Sequence, residues 1–473
     1  MNEIATDLCV IGAGSGGLSV AAGAVQMGAR VVLIEKDRMG GDCLNTGCVP
    51  SKALIKAARV AESVRKAGRF GVNGHEPSID LPALRRHIQG TIAGIAPHDS
   101  VERFEGLGCT VIKAQARFLD RDRIEAGGQV VRAKRFVVAT GSRPAVPKIP
   151  GLADIAYLTN ESVFDLASLP AHLLVIGGGP IGIELAQAFR HLGSKVTVIE
   201  AVTILSKDDP ELVAVLRERL IADGIALREG AKVEAAARAG NGVALTVSDA
   251  GGRHAIEGSD LLVAVGRTPD LETLGLDAAG VERTPEGIRV DAHLRTANKR
   301  VFAVGDAVGD RQFTHWAGYH AGVVIKNALF RLPAKVDPGL CPWVTYASPE
   351  LAQVGLSEEV ARRQHGDVRV LRARFAENDR ARTEAEHEGL VKAVVTARGR
   401  ILGCGIVGAE AGDLIQLWEL AIRKRLKIGA IAEMVAPYPT RGEASKRAAG
   451  SFYTPVIFGE RTKRIVRFLL RWA

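Results

Sequence analysis

Two cysteines offer the clearest chemistry in this chain. Cys43 and Cys48 have four residues between them in the segment 40–52, GGDCLNTGCVPSK, and Pro50 and Lys52 follow at once. That spacing is wide for a metal knuckle but suits a disulfide closed across the first turn of a helix. Asn45, Thr46 and Gly47 are turn and cap residues, and Pro50 is tolerated in a first turn because the nitrogen there has no intrahelical partner. Cys48 then falls where unsatisfied N–H groups and the helix dipole stabilise a thiolate. Lys52, four residues on, lies one turn along the same face. The constellation is that of a redox-active cysteine pair beside a cation. The bland alternatives are two unconnected thiols in a loop, or half of a zinc site. Zinc needs further Cys or His ligands at short spacing, none lie near, and no resident metal site is read.

Such a pair needs an electron source, and two stretches can hold one. In residues 8–35 an apolar strand, LCVI, runs into the turn GAGSGG, a helix over 18–27 and a second strand over 30–35. Gly12, Gly14 and Gly17 form GxGxxG between strand and helix, where glycines let the backbone approach a pyrophosphate resting on the helix N-terminus. Glu35 ends the second strand 23 residues after Gly12, where an acid can bind ribose hydroxyls. The unit returns from residue 173 as LLVIGGGPIGIELAQAFRHLGSKVTVIE, with Gly177, Gly179 and Gly182, and Glu200 again 23 residues after the first glycine. Two such units imply two dinucleotides.

With these in place, GGDCLNTGCVPSK resembles the active-site segment of the class I flavin-dependent pyridine nucleotide disulfide oxidoreductases, the family of dihydrolipoamide dehydrogenase, glutathione reductase and mercuric reductase. The resemblance implies an α/β fold of two Rossmann-like dinucleotide-binding domains and a C-terminal α+β dimerisation domain. Its expected divisions are 1–147 and 271–338 for the two parts of the FAD-binding and central region, 148–270 for NAD binding and 339–473 for the interface. It also implies that Cys43 exchanges with substrate, while Cys48 lies against FAD and forms a charge-transfer complex with it. Gly41 and Lys52 then border the flavin. Thr140, Gly141 and Ser142 resemble the ATG segment beside FAD, and Gly266 and Arg267 match a turn near both cofactors. Asp306, ending TANKRVFAVGD, would take the ribityl hydroxyls. Glu184 matches the acid that pairs with the active-site lysine. His315 and Trp316 either approach the flavin or pack a helix start. PWVTYASPELAQVGLSE matches the opening of the dimer-forming domain.

FAD is assigned to the first unit and a nicotinamide cofactor to the second. Glu200 accepts bonds from both adenosine ribose hydroxyls, whereas a 2′-phosphate would meet a like charge. No arginine lies close behind in EAVTILSK, and the nearest cation is Lys207, so NADH is expected over NADPH. Pro180 stands where glutathione reductase has its tyrosine flap. The larger departure is in APYPTRGEAS. Pro439, Thr440 and Glu443 keep the family frame, but Tyr438 replaces the histidine base of dihydrolipoamide dehydrogenase and glutathione reductase. A phenol near pKa 10 can donate a proton but scarcely act as a base at pH 7. Mercuric reductase has tyrosine there, yet this chain lacks that enzyme's C-terminal vicinal cysteines and N-terminal metal-binding domain.

Composition agrees with an enzyme of this size. The 473 residues suit about three domains, and 53 glycines with only 5% aromatics suit many tight strand-to-helix turns. A formal charge of +9 without long like-charge runs does not point to nucleic acid. Six cysteines without a regular framework fit a reducing compartment, with Cys9, Cys109, Cys341 and Cys404 as small core residues. The opening MNEIATDLCVIGAGSGG passes straight into a strand, unlike a signal peptide, so a cytoplasmic enzyme is expected. The tail RTKRIVRFLLRWA is basic and amphipathic. It can lie on an anionic membrane or a partner, or pack on its own dimer.

The sequence thus reads as a homodimeric flavoprotein moving electrons from NADH through FAD and Cys43/Cys48 to a soft metal ion or another non-glutathione acceptor. One alternative is a dihydrolipoamide dehydrogenase acting on a lipoyl protein. A reading of a different class is a flavin sensor or docking subunit without catalysis.

Overall fold

The computed structural model describes residues 3–472. Strand Glu3–Ile11 (β1), helix Ser15–Gln26 (α1) and strand Val31–Glu35 (β2) make a parallel βαβ unit, with Leu8 opposite Val31 and Ile11 opposite Ile34. β1 is central because it is apolar on both faces from Leu8 to Ile11, as a strand covered on both sides must be. Its other edge pairs in parallel with Gln129–Val138. The seven-stranded sheet runs Thr110–Lys113, β2, β1, Gln129–Val138, Arg123–Ala126, Ala116–Phe118, with Val301–Ala303 added beside Gln129–Val138. That late strand joins two parts of the chain far apart in sequence, and it delivers Asp306 to the end of the sheet where Thr140 to Ser142 emerge. One face is sealed by Leu18, Val20, Ala21, Phe104 and Val324, the other by Phe118, Ile124, Phe136 and Leu274.

The chain separates into two compact units. The first holds residues to 177, 188–199 and 231–336; the second holds 178–187, 200–230 and the chain from 337 on. Within the first, His172–Ile176 lies between Lys195–Glu200 and Asp260–Val263, all parallel. An antiparallel meander, Lys232–Ala239, Gly242–Asp249 and Gly252–Gly258, shares the core of Leu174, Leu245 and Val263. The Ala-, Arg- and Leu-rich stretch from residue 53 to about 108 reads as helical, and the structure forms helices Cys48–Arg65, Leu81–Ile95 and Val101–Gly106 there, the last two capped by Asp80 and Ser100. The prolines of RPAVPKIPG suggest a linker, but its start belongs to strand Ser142–Pro144, paired antiparallel with Arg267–Pro269. A proline at a strand end lacks only an N–H that the two-stranded ribbon does not use.

The second unit carries a five-stranded antiparallel sheet in the order Trp343–Thr345, Glu350–Gly355, Ile401–Gly408, Leu390–Thr396, Val368–Arg374. Helix Ala411–Arg423 lays Ile415, Trp418 and Ala421 on it, and the Trp418 indole donates to Ser445 Oγ at 3.1 Å. Lys392 is buried in this unit, with its ammonium 2.8 Å from Asp209, 2.9 Å from Glu211 and 3.1 Å from Glu358. Burial opposes the charge, but these carboxylates outweigh it and raise the lysine above its ordinary range. Removing one partner of a buried cluster strands the others. Lys392→Met is expected to lower the unfolding free energy by roughly 3 kcal/mol, read as a shift of the urea midpoint. An unchanged midpoint would show that the cluster contributes nothing.

Candidate active site

Residues 40–48 fold into two consecutive helix starts. Gly40, left-handed at φ +84°, opens the short helix Gly41–Asn45 (α2), and Gly47 precedes the long helix Cys48–Arg65 (α3). Asn45, expected in a turn, closes α2 instead, because its amide donates to the carbonyls of Met39 at 2.9 Å and Gly41 at 2.8 Å. Cys48 is therefore the first residue of an 18-residue helix, where backbone N–H groups have no carbonyl partner. Both cysteines are free thiols, Cys43 half-buried and Cys48 exposed. The hydrogen bond from Cys43 is the main influence lowering the Cys48 thiol, to about 6, against partial desolvation; the Thr314 hydroxyl and the Lys52 charge lower it further. Thr314 Oγ1 lies 3.4 Å from Cys48 Sγ. Cys43 moves the opposite way, pushed up by its bond to Cys48 and by burial. The reduced pair is thus polarised: a thiolate at Cys48 and a proton on Cys43.

A partly buried ion network braces this loop. The Arg267 Nε donates to Ser142 Oγ at 2.7 Å, one terminal nitrogen donates to Ser142 O at 2.9 Å, and the other reaches Asn160 Oδ1 at 3.3 Å. The same guanidinium lies 3.3 Å from Asp42, the neighbour of Cys43. Ser142 Oγ in turn donates to Asp306 Oδ2 at 2.5 Å. Burial raises the Asp306 carboxyl, opposed by the Ser142 hydrogen bond and the Arg267 charge. Asn160 donates to Asp42 Oδ1 at 3.1 Å and to Thr46 O at 3.2 Å. Arg267, Ser142 and Asp306 are sequence candidates that the fold brings together. Asp42, Asn160 and Thr314 were missed. Asp42 sits inside the cysteine motif and Thr314 directly precedes His315 and Trp316, but Asn160 stands in no motif at all.

The two glycine turns are built alike. Gly12 has φ +102° and Gly177 φ +109°, and a Cβ on either would meet a carbonyl oxygen, of Ala139 at 2.3 Å or Ala264 at 2.4 Å. Glu35 accepts from Ala13 N–H at 2.6 Å and Asp37 N–H at 2.7 Å, while Glu200 accepts from Gly178 N–H at 2.7 Å and Val202 N–H at 3.0 Å. Each acid therefore clamps its own turn, a task the spacing alone did not reveal. The carboxylates keep acceptor capacity for ribose hydroxyls. Gly14 and Gly41 approach so closely that a Cβ on Gly41 would lie 2.8 Å from Gly14 Cα, while Gly17 leaves room for Gly12 O at the start of α1. Gly12, Glu35, Lys36, Thr140 and Asp270 line a pocket there, and Asp270 pairs with Lys36 and takes its N–H to Gly141 O. The Thr140 hydroxyl is buried without a protein partner. A bare-backbone cradle, an acid with spare acceptor sites and an orphaned hydroxyl fit the pyrophosphate and ribose of FAD.

Around the second turn, Gly179 is open, Gly182 is buried in helix Pro180–His191, and Gly266 has φ +126° with open space at its Cβ. Arg217, absent from the sequence reading, stands beside Thr203, three residues past Glu200. It is already paired with Glu229 at 2.8 Å. Burial works against ionised Glu229, but hydrogen bonds from Arg217, Thr203 and Ile204 hold it near 2.

In the second unit, buried Glu184 accepts from Tyr346 N–H at 2.9 Å. Tyr438 is 72% exposed, and its hydroxyl donates to Asp379 Oδ2 at 3.2 Å, which holds the phenol above its ordinary range. Glu443 begins helix Glu443–Gly450 and accepts from Thr440 N–H at 3.2 Å. Arg441, buried against Glu384 and Glu386, pins the loop between them. His315 is exposed and stacks on Phe313, while Trp316 is buried and stacks on Tyr319, which suits a packed helix start for the tryptophan. Cys9, Cys109, Cys341 and Cys404 are buried, as expected of core residues.

The sequence matches the pyridine nucleotide-disulphide oxidoreductase family over residues 6–321 and that family's dimerisation domain over 341–449. It is 35% identical over 455 residues to a mercuric reductase of Lysinibacillus sphaericus, covering 96% of this chain and 83% of that one. It is equally 35% identical over 468 residues to a dihydrolipoyl dehydrogenase of Thermus scotoductus, covering 95% and 98%. Among solved structures, LpdA of Mycobacterium tuberculosis superposes with a TM-score of 0.86 at 26% identity, over 94% of this chain and 99% of that one. The Cu(II) complex of the flavoprotein disulfide reductase RclA from Escherichia coli superposes with a TM-score of 0.83 at 25% identity, over 93% and 98%. The paired glycine turns, the polarised dithiol and these matches across nearly the whole length lead to one conclusion: the chain belongs to the pyridine nucleotide-disulphide oxidoreductase family and is an FAD-dependent oxidoreductase that uses NAD(P).

Proposed function

We propose that this enzyme, a cytoplasmic homodimer, carries electrons from NADH to a soft or borderline metal ion by way of Cys43 and Cys48. The observation that carries the choice of acceptor is Tyr438, whose phenol is held protonated by Asp379 where lipoamide chemistry needs a base. FAD, when bound, relays electrons between the nicotinamide and the cysteine pair. On reduction the S–S bond breaks, the pair gains the two electrons that NADH gives up, Cys43 takes up the one proton released as NADH becomes NAD⁺, and Cys48 is left a thiolate beside Thr314 and Lys52. A thiophilic ion displaces the Cys43 proton to water and binds both sulfurs. Two electrons then pass from the thiolates to the metal as the S–S bond reforms. One Hg(II) or two Cu(II) ions balance that step. The mercuric reductase relatives and the copper complex of RclA support an acceptor of this class.

A lipoyl acceptor is the second reading, favoured by dihydrolipoyl dehydrogenase relatives at similar identity. A dihydrolipoyl dithiol must lose a proton before it attacks the disulfide. Positioned general bases are commonly worth about 10² to 10⁴-fold, and tyrosine scarcely supplies that at neutral pH.

Steady-state assays separate the two readings. Dihydrolipoamide oxidation is expected to be slow at neutral pH and to climb toward alkaline pH, while NADH-dependent reduction of mercuric or cupric ion proceeds. Tyr438→His should raise the first by about 10²-fold and lower the second. Family-typical dihydrolipoamide turnover by the wild type at pH 7 would overturn the metal assignment. For the thiolate, alkylation of reduced enzyme at Cys48 should show a midpoint near pH 6, since the free thiol is unreactive below it and the thiolate reactive above. Thr314→Val should move that midpoint upward by about one pH unit, the worth of one hydrogen bond to a charged sulfur. As to the nucleotide, Glu200 is anionic and Arg217 is already neutralised by Glu229. NADH should be preferred over NADPH in kcat/KM by about tenfold, one unfavourable charge contact of about 1.4 kcal/mol. Equal use of both would refute the assignment.

A further inference from the structure

The last helix, Glu460–Leu469, has no part in the chemistry above, and from Glu460 to Trp472 every residue except Thr462 is exposed. At 3.6 residues per turn, Ile465, Val466 and Leu469 gather on one side, Leu470 continues it just past the helix end, and the Trp472 ring lies 6.2 Å from that of Phe468 at its border. Lys463, Arg464, Arg467 and Arg471 fill the other. Trp472 is 81% exposed. Val456, Ile457 and Phe458, just before this helix, are exposed as well. Scattered exposed apolar residues are ordinary, but a continuous apolar face on an unpacked helix marks an interaction surface.

The charges say what covers it. The helix's one acid, Glu460, is taken up by Lys463 at 2.8 Å and Arg467 at 3.6 Å. Among the described residues, Arg461, Arg464 and Arg471 have no carboxylate partner. Self-pairing of this helix through its apolar side would leave the basic arc on the far side uncompensated. An anionic surface instead neutralises the whole arc while the apolar side sinks among acyl chains, with the long cationic side chains reaching the headgroups. We propose that the segment 454–472 is an interfacial anchor that lays the enzyme on an anionic phospholipid membrane without crossing it. Among the described residues no helix is long and apolar enough to span a bilayer.

The test is vesicle co-sedimentation of the full-length holoenzyme. It should pellet with equimolar phosphatidylglycerol and phosphatidylcholine, remain in solution with phosphatidylcholine alone, and be released by salt. The double charge reversal Arg464→Glu with Arg467→Glu should weaken anionic-vesicle binding by at least tenfold, since each cation near such a surface is worth about fivefold. Leu469→Glu, on the opposite face, should weaken it too, and both variants should keep NADH-dependent turnover, showing that they are folded. Failure of the wild type to pellet with anionic vesicles overturns the proposal. So does a Leu469→Glu protein that still binds vesicles but loses its dimer in sedimentation velocity, because a second copy then covers the face.

Discussion

Arg267 keeps a guanidinium where only 10% of its side chain meets solvent, between the carboxylates of Asp42 and Asp306. A charge in that position is tolerated because every edge of the fork has a partner: Ser142 twice, Asn160 and Asp42. Asp42 is covalently next to Cys43 and begins the turn that ends at Cys48. The orientation of the dithiol loop is therefore tied to a strand end at Ser142 and to the late strand carrying Asp306. Satisfied networks of this kind rigidify a site, and losing one member leaves several buried polar groups unpaired. That rigidity holds the loop carrying the two sulfurs in place.

On this support the two cysteines are made unequal. Cys48 gains from the Cys43 hydrogen bond, from Thr314 and from Lys52, while Cys43 is raised by the neighbouring sulfur and by burial. Thiols that differ in this way give a mechanism its order. One sulfur is stabilised as an anion, and the other holds a proton. In the second unit, Tyr438 is held by its hydrogen bond to Asp379, and Arg441 is pinned by Glu384 and Glu386.

The glycine turns show economy of a different kind. Glu35 and Glu200 each accept two backbone N–H groups at the end of a parallel strand, so each acid holds its own glycine turn while keeping acceptor sites free. Replacing either acid would disturb both at once. The duplicated geometry also explains why the two units read so similarly along the chain: the same strand, turn and acid solve the same steric problem twice.

Much of this was legible in the sequence because it is local. GxGxxG, the 23-residue interval to an acid, and the Cys43 to Lys52 run are each set by strand, turn and helix periods within a few dozen residues. Local patterns sufficed for the α/β class and the family, and they singled out the two cysteines, the two glycine turns and Tyr438 as a departure from the family frame. What the sequence left undecided needed residues brought from afar. Asn160 and Thr314 became site residues only when the sheet placed them beside Asp42 and Cys48. Arg217 met Thr203 only through the fold, and Glu229 cancelled it only there. The tail's amphipathic period was plain in its letters, but whether its apolar face was covered by its own chain depended on packing. Periodicity fixes which side chains share a face, whereas tertiary contact alone decides what that face meets.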